Sequence, residues 1–84
     1  MLRTILIDDE ALMRRTIEKM ALEHCPNVKL VAQAGSVSSG VAAIKRHHPD
    51  LVLLDIRMDD GTGFDLLEQF PSPGFKVIFI TAFD

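Results

Sequence analysis

Three aspartates and a threonine stand where this chain could do chemistry. Asp8 and Asp9 follow directly on the apolar run 4–7, Asp55 ends the apolar run 51–54, and Thr81 follows the apolar run 77–80. Short runs of this kind, rich in Ile, Val and Leu, read as strands buried on both faces of a parallel sheet. In an open parallel sheet the carboxyl ends of the strands share one rim, and ligands bind there. Three carboxylates and one hydroxyl, far apart in sequence, are therefore expected to converge. Carboxylates gathered in one place repel, and a hard divalent cation relieves that repulsion. Mg2+ takes oxygen ligands, usually one or two carboxylates completed by waters and substrate phosphate oxygens. The pattern thus points to phosphate chemistry at a Mg2+ held by Asp8, Asp9 and Asp55. Asp55 is the candidate nucleophile, because a carboxylate can accept a phosphoryl group as an aspartyl-phosphate. The cation would neutralise charge on the attacking carboxylate and on the incoming group. Thr81 would donate a hydrogen bond to the transferred phosphoryl.

The rest of the sequence supplies the frame. Residues 11–23 read as a helix with Met13, Ile17, Met20 and Ala21 at helical spacing, ended by Pro26-Asn27. Val28–Ala34 alternates, with Val28, Leu30, Ala32 and Ala34 on one face and Lys29, Val31 and Gln33 on the other, as in a half-exposed edge strand. Ser36 or Ser38 is placed to cap a second helix whose stripe is Val37, Val41 and Ile44, and which His47-His48-Pro49 closes. A loop at 58–63 precedes a short helix expected to carry Phe64, Leu67 and Phe70 inward. Pro71-Ser72-Pro73-Gly74 is a break, and 76–80 is expected to be another buried strand. The order β-α-β-α-β-α-β with short connections predicts parallel strands, right-handed crossovers and a layered α/β sheet.

Composition narrows the function classes. Eighty-four residues make one domain at most. The net charge of −3 argues against direct nucleic-acid binding, which needs a basic face. An apolar content of 48% suffices for a packed core. The longest apolar runs are far shorter than the roughly 20 residues of a membrane span, and the amino terminus has no signal-peptide pattern. The single cysteine, Cys25, excludes an internal disulfide and fits a cytoplasmic location.

The remaining polar residues have simpler roles. His24, His47 and His48 sit at helix ends, where a cation suits the dipole. Met13, Met20 and Met58 read as packing residues. Arg14-Arg15 and Lys45-Arg46 read as wet helix faces, with Arg14 and Arg15 near enough to the acid pair to help dock a partner. Asp55 with Asp59-Asp60-Gly61-Thr62 is superficially like a haloacid-dehalogenase phosphatase motif, but that motif needs a second Asp where Arg57 stands.

These stretches carry a resemblance. Ile5-Leu6-Ile7-Asp8-Asp9-Glu10, then Pro49-Asp50-Leu51-Val52-Leu53-Leu54-Asp55-Ile56-Arg57-Met58 with Gly63 downstream, then Val77-Ile78-Phe79-Ile80-Thr81-Ala82, together resemble the receiver domain of two-component response regulators. The segment 75–84 is similar to receivers attached to LytTR-type DNA-binding domains. The resemblance implies a flavodoxin-like three-layer sandwich with strand order 2-1-3-4. It implies Asp9 as direct Mg2+ ligand, Asp8 as the second, the Arg57 backbone carbonyl as a third, and Asp55 as phosphoacceptor from a phosphohistidine on a sensor histidine kinase or phosphotransfer protein. Thr81 is implied to be the switch hydroxyl. Two departures stand out. Asp59 replaces the family's usual proline, so the loop is expected to be more flexible and more acidic. The family's last helix, lysine-bearing strand and helix have no counterpart within 1–84, so a truncated receiver is expected. Lys76 begins its strand at the far end from Thr81, roughly 16 Å away at about 3.3 Å per residue, and cannot replace that lysine. An unpaired edge on the last strand, or a bare sheet face, is expected to favour a homodimer. Two other readings compete: a small phosphohydrolase using Asp55, and a non-enzymatic interaction fragment with a relic site.

Overall fold

The computed structural model describes residues 1–80. Four strands, β1 (Leu2–Ile7), β2 (Val28–Ala34), β3 (Leu51–Asp55) and β6 (Lys76–Ile80), form a parallel sheet of order β2-β1-β3-β6. Two further strands, β4 (Arg57–Met58) and β5 (Gly61–Thr62), pair antiparallel as a small hairpin. The expected order 2-1-3-4 therefore holds for the main sheet. The hairpin stands where sequence alone suggested an open loop.

Topology decides which helix covers which face. From β1 to β2 the chain steps one way along the sheet; from β2 to β3 and on to β6 it steps the other way. Right-handed crossovers then place the helix α1 (Ala11–His24) on one face and the helices α2 (Val37–His47) and α3 (Gly63–Glu68) on the other. Burial agrees with this. Ile5, Ile7, Val52 and Leu54 share one core with Val37, Val41 and Ile44 of α2 and Leu66 of α3. The alternate residues of β1, Thr4 and Leu6, are equally buried and face the other way. The chain's reversal of direction opens a crevice between β1 and β3, where doubly wound sheets bind ligands.

Local chemistry sets the element ends. Ser36 caps α2 in a reciprocal box with Ser39: its hydroxyl accepts from the Ser39 backbone N–H, and the Ser39 hydroxyl accepts from the Ser36 N–H. Thr62 and Asp65 do the same for α3. At the end of α2, His48 takes the left-handed conformation at φ 46°. The exposed carbonyls of His47 and His48 accept from the Arg3 guanidinium. Asp50 ties the strand starts together: its carboxylate accepts from the Arg3 N–H at 2.9 Å, and its carbonyl accepts from Lys76 N–H at 2.9 Å.

Four sequence expectations need correction. β2 does not alternate strictly, because the register slips between Thr4↔Leu30 and Ile5↔Ala32. Val31 is the extra residue of this bulge, and Val31 and Ala32 both pack on the core. In α1, Ala21 is buried but Met20 is exposed. In α3, Leu66 is the fully buried residue, whereas Phe64 stays 55% exposed and stacks on Phe79 with ring centroids 5.0 Å apart. β6 is not a buried strand. It pairs only with β3 among the described residues, and Ile78 is 52% exposed. No helix among the described residues is long and apolar enough to cross a membrane.

The reassignment of α3 is testable by thermal or urea unfolding. Leu66→Ala removes a fully buried side chain and should cost about 2–5 kcal/mol. Phe64→Ala removes one surface aromatic pair and should cost about 1 kcal/mol. Equal losses would restore the inward placement of Phe64.

Candidate functional site

β1 and β3 are neighbours in register Ile7↔Leu54, so the residues that follow them leave the sheet side by side at its carboxyl rim. Carboxylate oxygens of Asp8, Asp9 and Asp55 all lie within 4.8 Å of one another. The expected convergence is therefore present. Asp8 is buried, while Asp9 and Asp55 are half-buried and face the rim. Asp8 is pinned at several atoms. Its N–H donates to the Ala34 carbonyl at 3.0 Å, and its side chain accepts from the Glu10 N–H at 2.9 Å. That second bond begins α1, whose N-cap Glu10 makes no side-chain cap of its own.

The clustering shows in the protonation of Asp55. Burial, and then the Asp8 carboxylate, hold its carboxyl above the ordinary value of 3.8, against the opposing pull of the Arg57 and Ile56 N–H groups. Such a carboxylate gains free energy from any bound cation that removes the repulsion.

The backbone around Asp55 is tight. Gly63 N–H donates to the Ile56 carbonyl at 2.8 Å, closing the hairpin. A Cβ on Gly63 would lie 2.6 Å from the Asp55 carbonyl oxygen, so only glycine permits this approach. Arg57 opens β4 two residues beyond Asp55. Lys76 pairs with Leu51 while Ile80 pairs with Asp55, which leaves Lys76 at the opposite end of the sheet, as expected. Thr81 lies outside the described residues.

Two contacts escaped sequence reasoning. The hairpin was expected to be a flexible acidic loop, yet its tip is tied down. The Asp60 carboxylate accepts from the N–H groups of Val37 at 2.8 Å and Ser38 at 3.1 Å, at the start of α2. Those two bonds hold the Asp60 carboxyl below its ordinary value. No local signal reveals them, because the partners are 23 and 22 residues away. Arg14 was read as a solvated residue. It is half-buried, and its guanidinium donates to the Asp8 carbonyl.

The two shifted carboxyls give opposite pH signatures in metal-free buffer. A raised folded-state pKa means that stability present below pH 3.8 is lost as pH rises through the folded value. Asp55→Asn should therefore melt slightly higher than the parent at pH 7, an effect that solvent screening keeps small, with the gap closing toward pH 3. For Asp60 the sign reverses: its stabilisation is present above 3.8 and lost as pH falls through the lowered value. Asp60→Ala should melt several degrees lower at pH 7, and less so in acid. Melting curves from pH 3 to 8 check both.

The fold and the acidic crevice have relatives. The model of the response regulator receiver domain matches residues 4–84. An uncharacterized response regulatory protein of Vibrio cholerae is 40% identical over 84 residues, which is 95% of this chain and 31% of that protein. The sensory transduction protein LytT of Enterococcus faecalis is 34% identical over 85 residues, 99% of this chain and 35% of that protein. The solved signal receiver domain of a response regulator from Mycobacterium tuberculosis superposes with a TM-score of 0.83 at 29% identity, covering 99% of this chain and 68% of that one. The chain spans about a third of the length of the curated relatives named here. With the parallel sheet, the β1–β3 crevice and its three aspartates in place, the chain belongs to the response regulator receiver domain family.

Proposed function

We propose that this chain is the phosphoacceptor module of a two-component response regulator, and that Asp55 takes a phosphoryl group from a phosphohistidine on a sensor histidine kinase or phosphotransfer protein. The supporting observation is the meeting of Asp8, Asp9 and Asp55 within 4.8 Å at the crevice where the sheet reverses direction. In the step, an Asp55 carboxylate oxygen attacks phosphorus in line with the phosphorus–nitrogen bond. The new oxygen–phosphorus bond forms as that bond breaks, and its electron pair leaves on the imidazole of the donor. An ionised carboxylate needs no general base to attack. The product is an acyl phosphate.

The donor set suits Mg2+. All three side chains offer hard oxygen, and an octahedral ion with bonds of about 2.1 Å keeps its ligand oxygens about 3–4 Å apart. Oxygens within 4.8 Å of one another are a side-chain rotation from that spacing. Asp9 would bind directly, with Asp8, Asp55 and the Arg57 backbone carbonyl completing the protein's share. When bound, the ion offsets the negative charge of the carboxylates and the incoming phosphoryl. Asp8, fixed by its bonds to Ala34 and Glu10, keeps the pocket's floor in place. Gly63 leaves room beside the Asp55 peptide, so that the acceptor carboxylate stays at the rim. Thr81 is assigned the hydrogen bond to the transferred phosphoryl.

Mass spectrometry after acetyl phosphate and Mg2+ should show one added phosphoryl group in the parent and none in Asp55→Ala. Asp9→Ala should weaken the Mg2+-induced rise in melting temperature, with an apparent affinity roughly tenfold lower for the loss of one charge contact of about 1.4 kcal/mol. A folded parent that neither binds Mg2+ nor gains the adduct would overturn the proposal.

A further inference from the structure

Arg14 is the one cationic side chain that the described hydrogen bonds connect to the backbone of the acid pair. It sits in the first turn of α1, with its own N–H donating to the Glu10 carbonyl at 3.0 Å. Its guanidinium reaches back across the turn to the Asp8 carbonyl. That carbonyl belongs to the peptide joining Asp8 to Asp9, so its orientation decides the directions in which both carboxylates leave the backbone. Beside the same guanidinium nitrogen lies Gly35, immediately after the Ala34 carbonyl that accepts from Asp8. A Cβ at Gly35 would come within 3.2 Å of Arg14 Nη1 and 3.9 Å of the Asp8 carbonyl oxygen. The missing side chain thus makes the notch in which the guanidinium rests.

We propose that Arg14, seated in the notch left by Gly35, is a positioning residue that sets the Asp8–Asp9 peptide for divalent-cation binding. This rests on the magnesium pocket proposed above. A charge-assisted hydrogen bond from a planar guanidinium is stronger and more directional than one from a neutral donor. α1 lacks a side-chain cap, so the bonds of Glu10 and Arg14 to Asp8 hold the β1–α1 corner. Supporting groups behind metal ligands typically change affinity by about 10–100-fold when removed.

Electrostatics alone predicts the opposite sign. Arg14 is a cation near the pocket, so deleting it should attract Mg2+ more strongly if charge were all that mattered. Positioning predicts weaker binding. Arg15, exposed on the same helix turn, carries the same charge without the contact and serves as the control.

The experiment is calorimetric titration of Mg2+ into parent, Arg14→Ala, Arg14→Lys, Gly35→Ala, Arg15→Ala and the double variant Arg14→Ala/Gly35→Ala, each shown to be folded by circular dichroism. Arg14→Ala should bind roughly tenfold more weakly. Arg14→Lys should recover part of the loss, and Arg15→Ala should match the parent or bind slightly tighter. Gly35→Ala should weaken binding in the parent but add nothing once Arg14 is gone. If Arg14→Ala fails to fold, Gly35→Ala and Arg14→Lys carry the test, and unchanged affinity in both overturns the proposal. Equal or tighter binding by a folded Arg14→Ala also overturns it while leaving the magnesium pocket standing. A folded parent that binds no Mg2+ overturns the pocket, and the role of Arg14 with it.

Discussion

Mutual repulsion among three carboxylates is the constraint around which this fold is arranged. Asp8, Asp9 and Asp55 would separate if they stood on flexible segments, because nothing in their own chemistry holds like charges together. They stay close because each stands at or just beyond the end of one of two paired strands packed into the core. β1 from Thr4 onward and most of β3 are buried, and the two strands are bonded to each other, so their carboxyl ends are held by the same core that stabilises the domain. Hydrophobic burial in the middle of the sheet thereby offsets an unfavourable charge cluster at its edge. Burial first, and then the neighbouring Asp8 charge, push the Asp55 carboxyl above its ordinary value.

The same core explains why the pocket lies at the β1–β3 crevice. Reversal of the strand order sends α1 to one face and α2 to the other, which leaves the space above these two strands free of crossing chain. Loops then finish the work. The β4–β5 hairpin returns the chain tightly beside Asp55, and this depends on Gly63 having no side chain. The β1–α1 corner is held by bonds converging on Asp8 from Glu10, Arg14 and Ala34.

Much of this was legible in the sequence, because the signals were local. Apolar runs ending in acids marked the central strands and the rim. A serine before an apolar stripe marked the cap of α2. Alternation with helical spacing marked the layered architecture. Misreadings arose where distant residues decided the outcome. α3 has only six residues, too few to fix its phase, and the packing of Leu66 against α2 and the sheet displaced Phe64 to the surface. The bulge at Val31 came from pairing with β1, which no pattern within β2 records. Arg3 and Asp60 act on α2 from segments remote in the chain. Arg14 was misjudged because its partner is a backbone carbonyl, and backbone acceptors leave no trace in residue identity.

The Asp60 contact also restricts how the segment after Asp55 can vary. Its carboxylate serves as a borrowed lid on the first turn of α2, so the hairpin has a fixed reach. Inserting or deleting one residue in the turn would lift that lid and unsettle α2 even with every core residue intact. The contact therefore ties together two features of the segment, the carboxylate at position 60 and the number of residues that separate it from Asp55.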